Sequence, residues 1–153
     1  MSVPAWEVTR LGCTPDAAAL TPAIYMQLAS SSSLYAIRAS ELALQRSQSN
    51  RVRTAARHII ADQGGVGSQL SYAGRRLDLL PTATLTSQQA ADLERLTTTA
   101  NFDADYKRTV GATLSRSLEA HQAFARAGSS PTLRPVAEMA APVTKKNLDA
   151  VRR

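Results

Sequence analysis

From Val52 to Leu77 the chain carries an almost unbroken seam. Val52, Ala56, Ile59, Gln63, Val66, Leu70, Ala73 and Leu77 follow one another in alternating steps of four and three. Only an α-helix returns side chains at that spacing to one face, and a face of this length has to be buried against other helices. Two features break the pattern's own rules. Gln63 puts an amide where the seam asks for an apolar group, and Gly64, Gly65 and Gly67 crowd beside it. Each glycine costs a helix about 1 kcal/mol relative to alanine. The seam therefore predicts a long packed helix with a kink or local loosening near residue 64.

Other segments repeat the helical theme. Thr21-Pro22 is a helix start, with Thr as cap and Pro at the first helical position. Ile24, Leu28, Tyr35, Ala39 and Leu42 give a stripe that runs to about Ser47. Residues 78–86 read as a loop, and Ser87 to Leu96 as a short helix. Asn101 is placed to cap a long helix whose core face carries Phe102, Tyr106, Val110, Leu114, Ser117, His121 and Phe124. Asp103 and Asp105 fall in its first turn, where acids favour the helix dipole. The run Gly128-Ser129-Ser130-Pro131 separates it from a last helix with Leu133, Val136, Ala140, Val143, Asn147 and Ala150 on its seam. Pro142 is expected to kink that helix.

No segment has strand character. The fold class expected is all-α, an up-and-down four-helix bundle over residues 22–153, with a short extra helix between the second and third long helices. Residues 1–21 read as an irregular leader, without the basic start and apolar run of a signal peptide. At 153 residues one domain is the simplest division. No stretch approaches the roughly 20 apolar residues a membrane span needs.

The chemistry-bearing residues are few. Cys13 is the one cysteine, so neither an internal disulfide nor a cysteine metal cluster can form. Bundles that hold two metals use a glutamate three residues before a histidine, but Ala55 precedes His58 and Leu118 precedes His121 at that spacing. His58 reads as a boundary residue and His121 as a hydrogen-bonded core histidine. The run Gly64-Gly65-Val66-Gly67-Ser68 superficially resembles a phosphate loop, but no lysine follows and no strand precedes it. No residue is assigned as catalytic, cofactor-binding or metal-ligating.

Charge offers one further candidate. Eighteen Lys and Arg stand against twelve Asp and Glu, a formal +6, and lysine occurs only at 107, 145 and 146. Arg46, Arg53 and Arg57, placed on one helix, would share a face able to meet an anionic partner such as nucleic acid or lipid. A solvated surface accounts for the same residues, and seven aromatics at core-like spacings give little support for base stacking.

Several segments together resemble the ferritin-like bacterial exported proteins of domain-of-unknown-function family 4142. They are Ser40 to Ser47, Val52 to Asp62, Phe102 to Tyr106, the Gly128 to Arg134 junction and Pro142. The resemblance implies a glutamate in the first helix and histidines in the other three, at positions where this chain has Ala36, Gln63, Leu114 and Asn147. It implies a periplasmic or envelope location, a cytoplasmic one being the alternative. The expected function is a non-enzymatic, metal-free structural or interaction protein, in a stress-related setting, with an unknown protein partner. The alternatives are a metal-binding or redox stress protein with displaced ligands, or an anionic-partner binder through the arginine face. The missing ligands also imply that Gln63 and Asn147 form an amide pair across the bundle.

Overall fold

The computed structural model describes residues 20–79 and 84–153. Among them are five helices and no strand: α1 Pro22–Arg46, α2 Asn50–Leu77, α3 Ser87–Thr98, α4 Phe102–Ala127 and α5 Arg134–Arg152. The expected leader lies almost wholly outside the described residues, as does Cys13. No described helix is long and apolar enough to cross a membrane.

Local chemistry sets the helix ends. Thr21 accepts a hydrogen bond from the Ile24 amide at 3.1 Å with Pro22 behind it, as expected. Ser49 caps α2 through the Val52 amide. Thr86 and Gln89 form a reciprocal capping box on α3, satisfying two orphan amides. Asn101 occupies the position before α4 but makes no side-chain cap. Thr99 supplies the local order instead: its hydroxyl accepts from the Asn101 amide and donates to Asp105 Oδ2. That hydrogen bond, with Arg108 beside it, holds the Asp105 carboxyl below its ordinary pKa.

Neighbouring long helices run antiparallel. Along α1 and α4, Tyr25 stacks on Phe124 while Ser40 meets Tyr106. The helices form a closed ring of neighbours, α1–α2–α5–α4, with α3 laid against α1 and α4. The strictly alternating up-and-down order does not hold. Arg46, at the end of α1, stacks over Phe102 at the start of α4, so the connection 78–101 carries the chain back along the molecule. The order is up, down, long crossover, down, up. Periodicity fixes a helix's buried face but not its direction, which the crossover decides.

The core comes in two apolar halves. One gathers Tyr25, Val66, Leu70, Phe124 and Leu133; the other gathers Tyr35, Ile59, Tyr106, Leu114 and Leu148. The seams of α2 and α4 are buried as expected. α1 is as expected only in part: Tyr35 and Ala39 are buried and Leu28 and Leu42 half-buried, but Ile24 is 51% exposed, and Ser31, Ser32, Ser33 and Ser40 are buried beside alanines. The bulk of its inner face is concentrated in Tyr25, Met26 and Tyr35, and the small residues between them leave little to mark the rest of that face. In α5 the buried set after Pro142 is Thr144, Asn147, Leu148 and Val151, with Val143 and Ala150 at the margin. A 3.6-residue helix drifts off a strict 3.5 repeat, which moves the face by one position.

α2 stays helical straight through Gly64–Gly67, and the expected loosening does not occur. Gln63, just before the glycines, and Val66, between Gly65 and Gly67, are both buried and tie this stretch into the core. Gly128 is the glycine that packing requires. A Cβ there would lie 2.5 Å from the Phe124 ring and carbonyl oxygen. Gly128→Ala is therefore expected to cost about 2 kcal/mol by forced displacement of a core ring, read as a lower urea midpoint.

Candidate functional site

Between the two apolar halves every long helix contributes polar residues at the same level. α1 gives Ser33, α2 gives Gln63, α4 gives Ser117, and α5 gives Thr144 and Asn147, all buried. Each falls in the gap along its own helix between the residues of one apolar half and those of the other. Among the described residues, this belt is where all four long helices bring buried polar side chains to one level.

Its bonds form a directed chain. Ser33 Oγ donates to Gln63 Oε1 at 3.0 Å. Gln63 Nε2 donates to Asn147 Oδ1 at 2.9 Å and to Thr144 Oγ1 at 3.3 Å. Asn147 Nδ2 then donates to Asp62 Oδ2 at 2.8 Å. Asp62 is half-buried and faces Lys146 at 3.9 Å, so the chain ends on a carboxylate at the surface. Both amides have their orientation fixed by their partners, and bonds aligned toward a charge reinforce one another. The expected Gln63–Asn147 pair is thus present, and it is larger than a pair.

A second buried array adjoins it. Tyr25 Oη and His121 Nδ1 lie 2.7 Å apart, and Ser117 Oγ lies 3.1 Å from His121 Nε2. A neutral imidazole suits both contacts, one nitrogen accepting and the other donating. Burial drives the His121 pKa down to about 4 and raises that of Tyr25. His121 is the hydrogen-bonded core histidine that its place on the α4 seam suggested. On the far side of the belt, Tyr106 bonds Ser40 at 2.7 Å, and burial lifts its hydroxyl to about 12.

The positions compared with family ligands divide in two. Gln63 and Asn147 meet in the belt, whereas Ala36 and Leu114 are buried in the apolar half beside it. Among the described residues, no three His, Cys, Asp or Glu side chains come together in a way that could hold a metal ion. His58 is exposed, on the opposite side of α2 from Gln63's seam. Reading the sequence missed Ser33, Thr144, Ser117 and Tyr25 as partners. The signal available was the serine run in α1 and the three-residue step from Thr144 to Asn147.

The arginine face is corrected. Arg46 ends α1, while Arg53 and Arg57 belong to α2, so the three never share a helix. Arg46 donates to the carbonyls of Leu96 and Thr99 at 2.7 and 2.8 Å, tying the end of α1 to the end of α3. Arg53 donates to the carbonyls of Leu44 and Ser47, satisfying the last turn of α1. Two of the three cations are helix-end staples, and Arg57, exposed, makes no such contact among the described residues.

Comparison with known proteins gives two matches. The model of a family described as "Domain of unknown function (DUF4142)" matches residues 11–153. The solved structure of "CopM in the Cu(II)-bound form" superposes with a TM-score of 0.73 at 17% identity, covering 87% of this chain and 94% of that one. At that identity the likeness is one of fold. A search of curated proteins finds no match.

Proposed function

The chain belongs to the DUF4142 family, and we propose that within it this protein is a non-enzymatic, metal-free, ferritin-like bundle with a structural or protein-interaction role in the bacterial envelope. The single long crossover supports the ferritin-like assignment, since bundles of that type carry one. One observation carries the functional reading. The mid-core level where such bundles place their metal ligands is filled here by the Ser33–Gln63–Asn147–Asp62 chain. Neutral amides are weak ligands for the divalent metals such bundles hold, and Ala36 and Leu114 offer no donor atom. Both amide nitrogens are also committed as donors, so a cation would have to break the chain to enter. The residues present do not fit a core metal.

Envelope placement and a stress-related setting rest on the family resemblance. The Cu(II)-bound form of the structural neighbour raises metal binding as a second reading, in which ligands displaced from the core would do the work. Elemental analysis of the purified protein separates the two. The expected result is less than stoichiometric copper, iron, manganese and zinc after dialysis. One equivalent of any of them, retained through dialysis, would overturn the proposal.

A further inference from the structure

The glycine cluster of α2 has no role in the polar belt, yet it shapes the surface beside it. A Cβ built on Gly64 or Gly67 would meet nothing within 4 Å. No neighbour excludes a side chain at either position; both open onto a groove between α1 and α2 of about 370 Å³. That volume lies in the range of small-molecule sites, about 300–1,000 Å³.

The groove's walls differ along its length. Leu34 and Ile37, both half-buried, give one end an apolar wall. Its floor is polar: Gln63 and Ser33, both fully packed into the core, line it, and Ser33 retains acceptor capacity beyond its bond to Gln63. Ser30 lines it as well, and its Oγ is buried without a hydrogen-bond partner. At the other end stands the exposed Arg75, three turns beyond Gln63 and about 18 Å along α2. Among the described residues it is the one charged residue lining the groove, and no acid accompanies it there.

We propose that this groove binds an aliphatic monocarboxylate, with its carboxylate at Arg75, its chain over the Gly64–Gly67 strip and its tail against Leu34 and Ile37. A single guanidinium matches a single carboxylate in charge and in bidentate geometry. The open strip admits a slender chain where any Cβ would narrow the passage. The site does not depend on metal content, so it stands or falls apart from the proposed function.

The probe is octanoate, titrated into the full chain by calorimetry and by amide chemical shifts, with octanol and inorganic phosphate as comparisons. Saturable one-to-one binding of octanoate is expected, with shifts at Ser30, Leu34 and Gly67 and weaker binding of both comparisons. Arg75→Gln should weaken octanoate at least ~10-fold and leave octanol unchanged, as loss of a charge-assisted contact requires. Gly67→Leu should abolish binding by filling the groove. Should that variant fold poorly, the Gly64→Ala, Gly67→Ala double variant serves. It should raise the unfolding midpoint through helix propensity while weakening octanoate. Absence of saturable octanoate binding, equal binding of octanol, or affinity unchanged by the glycine substitutions would each overturn the proposal.

Discussion

Gln63→Leu is expected to destabilise the fold by about 3 kcal/mol, the largest effect of any single change in the polar belt. The leucine itself is welcome in an apolar core. The cost lies in what it strands: the Ser33 hydroxyl loses its acceptor, and Thr144 and the Asn147 carbonyl lose their donor. Unpaired buried polar groups cost about 1–3 kcal/mol each, partly offset here by the gain from burying hydrocarbon. Adding Asn147→Leu should return at least about 1 kcal/mol, because one of the buried orphans, the Asn147 carbonyl, is then removed. Asp62, left without its amide, is half-buried and can turn to water. The two substitutions are therefore non-additive, as coupled neighbours are. Urea unfolding of the wild type, both single variants and the double gives the cycle. A register-fixing role for the pair further predicts a change in oligomeric state or stability for the double variant. Singles that cost under about 1 kcal/mol, or strictly additive effects, would show that the chain contributes little.

Acid is expected to weaken the protein through His121. Burial depresses its folded pKa to about 4, below the ordinary 6.5. The unfolded chain therefore takes up a proton near pH 6.5 that the folded chain refuses until about pH 4. Stability is full above pH 6.5, falls as pH drops through the window between the two values, and levels off below it. The window of about 2.5 units corresponds to about 3 kcal/mol at 1.36 kcal/mol per unit. Carboxylates such as Asp105, whose pKa is also lowered, add their own loss at lower pH. Comparison with His121→Gln isolates the histidine. The variant should be less stable at about pH 7, through the lost Tyr25 contact, and flatter between about pH 6.5 and 4.5. Parallel pH profiles would contradict a neutral, buried His121.

How much of this was legible depended on what kind of side chain marked each face. The seams of α2 and α4 are built from bulky residues such as Ile59, Leu70, Tyr106 and Phe124, so spacing alone located their buried sides. Gln63 and Asn147 showed as polar residues at seam positions, and the structure joins them. α1 is harder to read because, between Tyr25, Met26 and Tyr35, its buried face is largely serine and alanine, and hydropathy gives such residues little weight. Ile24, an obvious stripe member, lies half in solvent instead. The crossover was invisible to periodicity, since a helix reads the same pointing either way. The arginines failed for a different reason: Ser47-Gln48-Ser49 ends one helix and starts another, and Arg46 and Arg53 are spent on carbonyls at helix ends that no residue pattern displays. Ser33 and Thr144 are ordinary hydroxyls whose importance comes only from the amide placed opposite them.

The central claim is that the mid-core level holds an amide chain and not a metal site. The side-chain NH₂ resonances of Gln63 and Asn147, followed in ¹H–¹⁵N spectra during a Cu(II) titration, test it most directly. A bound paramagnetic ion broadens signals in its immediate surroundings. The account predicts that both pairs of resonances persist, sharp and unshifted, through one equivalent of Cu(II). Their selective loss at one equivalent, while surface amides remain, would place the metal in the core and contradict it.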